Sequence, residues 1–292
     1  MPLVRAKDIL VHARQHRYGI PCLLAGDLSM IVGQIRAAEA VDAPLILAFN
    51  QQVTPDIPAA IGIAAAVEAA SQARVPVAVI LDHGASVEQV IVAIRHGISS
   101  VMIDGSHLPY EENVRVSSEV VRLAHAAGVD VEAELGGIPG SSVELGAAGP
   151  PAGAMTDPEQ AVDFVKRTGV DVLAISFGNA HGVYQGQPHL DLALVRAIHQ
   201  RISIPLAMHG GSGLTFESYP PIIASGISKV NYYSAMAHAA SQDILKMMTA
   251  TDPESLIYHQ IISQAIDFFS HATESLLTLL GSAGQARRWN QA

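Results

Sequence analysis

Short runs of β-branched and other apolar residues recur along the chain, each followed by a longer Ala-rich stretch whose apolar positions fall three and four apart. The runs predict strands at Ile20–Leu24, Leu45–Phe49, Val77–Leu81, Ser100–Ile103, Asp130–Glu134, Val172–Ser176, Pro205–His209 and Lys229–Asn231. Several are apolar almost throughout, as strands must be when helices cover one face and a barrel interior the other. Ala43-Pro44, Val75-Pro76 and Ile204-Pro205 put proline at a strand entrance, where its missing N–H matters least. Eight strand–helix units in about 230 residues predict a closed α/β barrel, the (β/α)8 fold. No Gly-x-Gly-x-x-Gly follows the first strand, which argues against an open dinucleotide-binding sheet.

Beyond the eighth unit, Leu256, Ile257, Ile261, Ile262, Ile266, Phe269, Leu276, Leu279 and Leu280 recur at helical intervals and predict one or two extra helices between about 253 and 284. Residues 285–292 read as a mobile tail, and residues 1–292 as a single barrel domain. The long apolar face of the extra helices predicts packing on the barrel or on another subunit, in a homodimer or homotetramer. The stretch from Gly136 to Thr156 has six glycines, three prolines and no apolar period. It follows the fifth strand, on the face where barrel active sites are built; an active-site loop and a tolerated surface insertion both fit it.

Composition narrows the field. With 49% apolar and 15% charged residues, the 292-residue chain has too much potential core to be disordered. Its net charge of −10 would repel the phosphates of a nucleic acid. Cys22 stands alone and makes no internal disulfide, and Asp8 and His12 interrupt the apolar run a signal peptide would need, so a cytoplasmic protein is expected. No segment nears the roughly 20 apolar residues that span a bilayer, so no membrane partner is expected.

Polar residues cluster at the carboxyl ends of the predicted strands: Asp82 and His83, Asp104, Glu132 and Glu134, His181, His209 and Asn231. Of thirteen histidines most lie in helical stretches, whereas His83, His181 and His209 each end a different strand and are followed by glycine, which lets another group approach the ring. Singly, each reads as a hydrogen-bonded barrel residue. Together, with Asp82 adjacent and Glu134 opposite, three imidazoles from three strands suit a borderline divalent cation, zinc above all, with a coordination position left for substrate. A second signal is His209-Gly210-Gly211-Ser212-Gly213 after strand seven with Asn231-Tyr232-Tyr233-Ser234 after strand eight, where barrels commonly hold a phosphate on backbone N–H groups and a helix N-terminus.

Six motifs in order, Leu81-Asp82-His83-Gly84, Ser100 to His107, Val131-Glu132-Ala133-Glu134-Leu135-Gly136, Gly178-Asn179-Ala180-His181-Gly182, His209 to Gly213 and Lys229-Val230-Asn231, resemble the class II ketose-bisphosphate aldolases, from about Arg5 to Gly284. The resemblance implies a zinc-dependent lyase of carbohydrate metabolism, glycolysis included. Such an enzyme reversibly cleaves a ketose 1-phosphate or 1,6-bisphosphate of the fructose or tagatose type to dihydroxyacetone phosphate and an aldehyde. It implies that His83, His181 and His209 bind the catalytic zinc and that Asp82 moves the proton of the substrate's C4 hydroxyl. Asp104 and Glu134 fall at a second, exchangeable metal position, and Asn231 where the family steadies the enediolate. Gly182, Gly211, Ser212 and the backbone around Tyr233 and Ser234, with Gly210 in the same turn, would cradle the phosphate, with a monovalent cation (Na+ or K+) nearby. The alternative imine route needs a lysine, and of Lys7, Lys166, Lys229 and Lys246 only Lys229 lies on a predicted strand.

Three departures from the family pattern stand out. Gly140-Ser141-Ser142-Val143 occupies the place of a loop acidic pair that exchanges a substrate proton, leaving Glu144 as the nearest catalytic carboxylate. The usual Ala-Phe-Asn of strand one reads Cys22-Leu23-Leu24-Ala25, which removes an amide from the mouth. A C-terminal Asp-Pro-Arg, whose arginine can meet a distal phosphate, reads Asp252-Pro253-Glu254, and at such a contact a carboxylate would repel. Two alternatives follow: an aldolase for substrates with no distal phosphate, or a metal- and sugar-phosphate-binding barrel with little turnover.

Overall fold

The computed structural model describes residues 3–139, 155–182 and 188–289. Eight strands, β1 (Ile20–Leu24), β2 (Leu45–Phe49), β3 (Val77–Gly84), β4 (Ser100–Ile103), β5 (Asp130–Leu135), β6 (Val172–Ile175), β7 (Leu206–Met208) and β8 (Ile227–Tyr232), close in chain order into the predicted barrel. Each neighbouring pair is parallel, and β8 pairs back onto β1. All eight lie where the apolar runs put them. The ends differ by a residue or two, except that β3 extends to Gly84.

Around the barrel run α2 (Leu28–Ala40), α3 (Ala59–Gln72), α4 (Val87–Arg95), α5 (Tyr110–Ala126), α6 (Pro158–Thr168), α7 (Leu192–Arg201), α8 (Tyr219–Ser225) and α9 (Ser234–Ala250), with α1 (Ala6–His16) before β1. Several helices start on side-chain caps that the sequence supplies: Asp27 accepts from the Met30 N–H, Ser86 from Gln89, Asp157 from Glu159 and Gln160, and Asp191 from Leu194.

Strand alternation sorts side chains into two apolar layers. Leu23, Leu47, Val79, Val101 and Leu173 face the helices, whereas Cys22, Ile46, Ala48, Ile80, Met102 and Ala174 fill the interior. Helix α1 closes the amino-terminal end, its Ile9, Leu10 and Ala13 packing into the interior layer. No side chain at Arg5 caps α1, so its first N–H groups find acceptors on the barrel. Ala6 N donates to Ser100 Oγ (2.8 Å) and Lys7 N to Asp130 Oδ2 (2.6 Å), while Ser100 Oγ donates to the other Asp130 oxygen.

Of the extra C-terminal helices, α10 (Tyr258–Leu279) packs on α2, with Arg36 and Asp267 paired across the seam at 2.8 Å. Residues 285–289, expected to be a mobile tail, instead form α11 (Gln285–Trp289). Its start is tied down by Gly284 N to Val41 O (2.8 Å) and Ala286 N to Asp42 O (2.9 Å), and Trp289 lies edge-on to His12. Backbone bonds and one aromatic contact thus outweigh a polar composition. Among the described residues no helix is long and apolar enough to cross a membrane.

Candidate active site

Alternation carries the chemistry to one end. The interior series Ala48, Ile80, Met102 and Ala207 continues two residues on to Asn50, Asp82, Asp104 and His209, and on β8 Lys229 and Asn231 share the inward face. His83 breaks this parity, because a residue next to Asp82 should point outward. Two irregularities turn it in: the β3–β4 register shifts between Leu81 and Gly84, and His83 has φ +48°, a left-handed conformation rarely held by a non-glycine residue. The bulge lets consecutive residues of one strand serve the same mouth.

The three sequence-selected imidazoles meet. Their ring centroids lie 4.6, 5.2 and 5.8 Å apart, and one ring nitrogen from each lies within 4.8 Å of the others. His83 Nε2 and His209 Nδ1 approach to 2.9 Å, while the far nitrogens are held from behind: His83 Nδ1 by Asp104 (2.8 Å), His209 Nε2 by Glu132 (2.9 Å). His181 bonds the Ile138 backbone, and its Nε2 is buried with no hydrogen-bond partner. Imidazoles oriented by outer carboxylates or carbonyls around a common point, one aiming a bare nitrogen at it, are what a borderline divalent ion requires. His83, Asp104 and Glu134 make a second cluster of the same reach, in which Glu134 Oε2 is also buried and unpartnered. The residues therefore fit both metal positions expected from the sequence.

The charges agree with the bonding. Burial opposes a charge on His83, yet Asp82, Asp104 and Glu134 together lift it to about 10. Burial and the His83 charge lower His181 to about 4 and depress His209 as well. Burial and the neighbouring Asp104 raise Glu134 to about 8. Burial acts to raise Asp82, but His83, His209 and Lys229 outweigh it and hold the carboxyl below its usual range. The carboxylates that favour a positive charge on His83 would favour a bound cation in its place.

Asp82 stands beside the rings. Asn231 Nδ2 donates to its Oδ1 (3.0 Å) and lies 3.3 Å from His209 Nδ1. Asn50 Nδ2 is 3.4 Å from Asp82 Oδ2. The Asn50 carbonyl already accepts the N–H groups of Gln52 and Val53, so its amide nitrogen must face the mouth. The amide thought lost from strand one is thus supplied by the next strand, where Ala48-Phe49-Asn50 spells the same tripeptide. That repetition was a usable signal.

A cavity of about 60 Å³ is walled by Leu24, Asn50, Asp82, His83, His181, Gly182, His209, Gly210, Ser212, Asn231, Tyr233 and Ser234, among others. Ser212 Oγ accepts from Tyr233 N (2.8 Å), joining the turn after β7 to the start of α9. Gly211 lies behind this wall, packed on β8, where a Cβ would stand 2.6 Å from Asn231 O. Two of the glycines after the histidines, Gly84 and Gly210, serve backbone approach, not approach to the rings as expected. A Cβ on Gly210 would lie 1.9 Å from Ala180 O, and one on Gly84 2.5 Å from Met102 O. The first contact lets the segments bearing His181 and His209 touch, and the second lets the end of β3 close onto β4.

Two further groups, Glu132 and Lys229, complete the buried charge network. Glu132 is buried between His209 and Lys229, whose ammonium reaches both its oxygens at 2.9 and 2.8 Å. Although burial disfavours its charge, Lys229 is held well above its ordinary range by Cys22, Glu132 and Asp82, and its ammonium is engaged by Glu132, which disfavours it as an imine-forming amine. Glu144 and most of the 136–156 connection lie outside the described residues.

A closed parallel barrel that converges three imidazoles and flanking carboxylates on its mouth defines a barrel of the enzyme class with its chemistry at the carboxyl ends of the strands, where these groups could hold a metal ion. The profile of the family Fructose-bisphosphate aldolase class-II matches residues 4–285. A fructose-bisphosphate aldolase of Geobacillus stearothermophilus is 34% identical over 289 residues, covering 98% of this chain and 99% of its own. One from Staphylococcus epidermidis is 33% identical over 85% and 87% of the two chains. The crystal structure of the YdjI aldolase of Escherichia coli K12 superposes with a TM-score of 0.86 at 31% identity, covering 97% and 99%. The chain belongs to the class II fructose-bisphosphate aldolase family, and it is an aldolase, a carbon–carbon lyase.

Proposed function

We propose that this site performs zinc-dependent, reversible aldol cleavage of a ketose phosphate to dihydroxyacetone phosphate and an aldehyde. The observation that supports it most is the convergence of His83, His181 and His209 beside Asp82. The three imidazoles would hold zinc, which when bound supplies a Lewis acid for the negative charge that cleavage builds on the ketone oxygen. Asp82, kept ionised by its cationic neighbours, takes the proton of the C4 hydroxyl in cleavage and returns it in condensation. Asn50 and Asn231 hold that carboxylate from two sides, and Asn231 can turn its amide toward the enediolate oxygen. Ser212, Gly182, Gly210 and the α9 start at Tyr233 and Ser234 receive the phosphate, where the helix end favours an anion. Gly211 supports this turn from behind. Asp104 and Glu134 offer the second metal position, and Glu144 the proton exchange at C3.

The distal end of the substrate is read differently. No Lys or Arg lines the described mouth, and residues 140–154 and 183–187, which follow β5 and β6, contain neither. This favours a ketose 1-phosphate over a 1,6-bisphosphate. A panel of ketose mono- and bisphosphates assayed with zinc, after chelation, and after chelation and zinc return tests both points. The expected pattern is activity lost to chelator, restored by zinc, and at least as high on the monophosphate. Inactivation by borohydride plus substrate without chelator sensitivity would reject the metal route. Absence of C3 proton exchange of dihydroxyacetone phosphate in deuterated water would favour a binding barrel.

A further inference from the structure

At the opposite end of the barrel lies a second pocket, of about 200 Å³, between α1, α7, α8 and the start of β8. Arg14, Arg17, Arg196, His199, Ser225 and Ser228 contribute to its walls, and no carboxylate does. In a chain of net charge −10 this is an unusual concentration. Arg5, Arg36, Arg74, Arg115, Arg167, Arg201 and Arg287 all pair with carboxylates, whereas among the described residues Arg14, Arg17 and Arg196, like the scattered Arg95, Arg122 and Arg288, make no ion pair, and the first three share one pocket.

Each of the three is nevertheless placed. Arg14 spends its terminal N–H groups on His199 Nδ1 and on the carbonyls of His199, Ile202 and Ile204, at 2.7–2.9 Å. These bonds fix its guanidinium against the end of α7 without a counter-charge. Arg196 is steadied by Ser225 Oγ at 3.0 Å. Arg17 sits just past α1 at φ +57°, ψ +49°, the left-handed position that helices usually give to glycine or asparagine. A long charged side chain kept in that conformation at the rim of a basic pocket points to a role for the side chain. Burial, then the charges of Arg14 and Arg17, keep His199 below its ordinary range.

We propose that this basal pocket is a second anion site, which binds the phosphoryl group of a small phosphorylated metabolite through Arg17 and Arg196, with Arg14 adding fixed positive charge. The planar guanidinium fork suits a tetrahedral oxyanion. The pocket, of about 200 Å³, has room for a phosphate with a few carbons. The inference does not depend on the aldolase reading, because no residue of the mouth takes part.

The test is calorimetric titration of the zinc-loaded full chain with inorganic phosphate at low ionic strength, repeated on Arg17→Ala/Arg196→Ala and on Ser212→Ala. Expected is a binding event that persists in Ser212→Ala, weakens about ten- to a hundredfold in the double variant, and fades with added salt. Aldol cleavage by the double variant should stay unchanged. Both arginines are exposed, and an unaltered thermal midpoint confirms the fold. Arg17→Lys/Arg196→Lys, which keeps the charge and loses the fork, should fall between. A phosphate isotherm indifferent to the arginines, or one removed wholly by Ser212→Ala, overturns the proposal.

Discussion

At the scale of single residues, the distinctive feature of this mouth is the pair of amides that grip one carboxylate. Asn231 of β8 reaches one oxygen of Asp82 at 3.0 Å and Asn50, just past β2, the other at 3.4 Å, so the carboxylate that moves the proton has little freedom to turn away. Asn50→Ala is expected to lower kcat/KM about tenfold, mostly through kcat, because position rather than affinity is lost. Steady-state kinetics on a ketose 1-phosphate reads this, and an unchanged kcat would mean that Asn231 alone suffices. Glu132 acts one step further out. By accepting from His209 Nε2 it leaves Nδ1 to face the metal position, and such outer partners affect metal affinity by about 10- to 100-fold. Glu132→Gln should weaken zinc binding by that factor in a chelator competition. It should also lower the melting temperature, because Lys229 loses its buried counter-charge. Zinc affinity equal to wild type would remove Glu132 from the metal site.

At the scale of elements, α1 is fastened to the barrel through a carboxylate whose ionisation works against the fold. Burial pushes Asp130 up to about 6 from 3.8, although the bonds from Ser100 and Lys7 N pull the other way. Its folded-state value is the raised one. The unfolded chain therefore ionises first, and stability falls as pH rises from about 4 to about 6, by at most about 3 kcal/mol. Asp130→Asn should remove that slope. Denaturant unfolding at several pH values is expected to show the variant gaining on wild type across this window, and a difference independent of pH would refute it.

Elements also show what could be read in advance. The eight strands were legible because each is a short apolar run followed by a helical period, and Asp82, His209 and Asn231 were legible because they end such runs. The β3 bulge was not, since no residue in Leu81-Asp82-His83-Gly84 announces that two neighbours will face the same way. Glu132 and Asn50 were hidden for another reason. Their meaning lies in partners 77 and 32 residues away along the chain, and no local pattern carries that pairing. The α11 segment failed as a tail because its backbone bonds to Val41 and Asp42 are invisible to composition.

At the scale of the whole molecule, the C-terminal helices leave apolar surface that the barrel does not use. Of the seventeen residues of α9 only Met236 and Ala240 are buried, while Leu245 and Met248, one turn apart, are 54% and 38% exposed. Ile257 and Tyr258, where α10 begins, are 51% and 76% exposed. Large apolar side chains concentrated at one helix junction are unfavourable in water and are relieved by burial against another chain. A second copy supplies the same patch in a two-fold arrangement, where like meets like. The expected assembly is a homodimer or homotetramer, giving a light-scattering mass of two or four times 30.7 kDa. Leu245→Glu/Met248→Glu should reduce that mass, and the wild-type melting temperature should rise with protein concentration, since association draws on the folded chain alone. A wild-type mass of 30.7 kDa at micromolar concentration would assign this surface to something other than self-association.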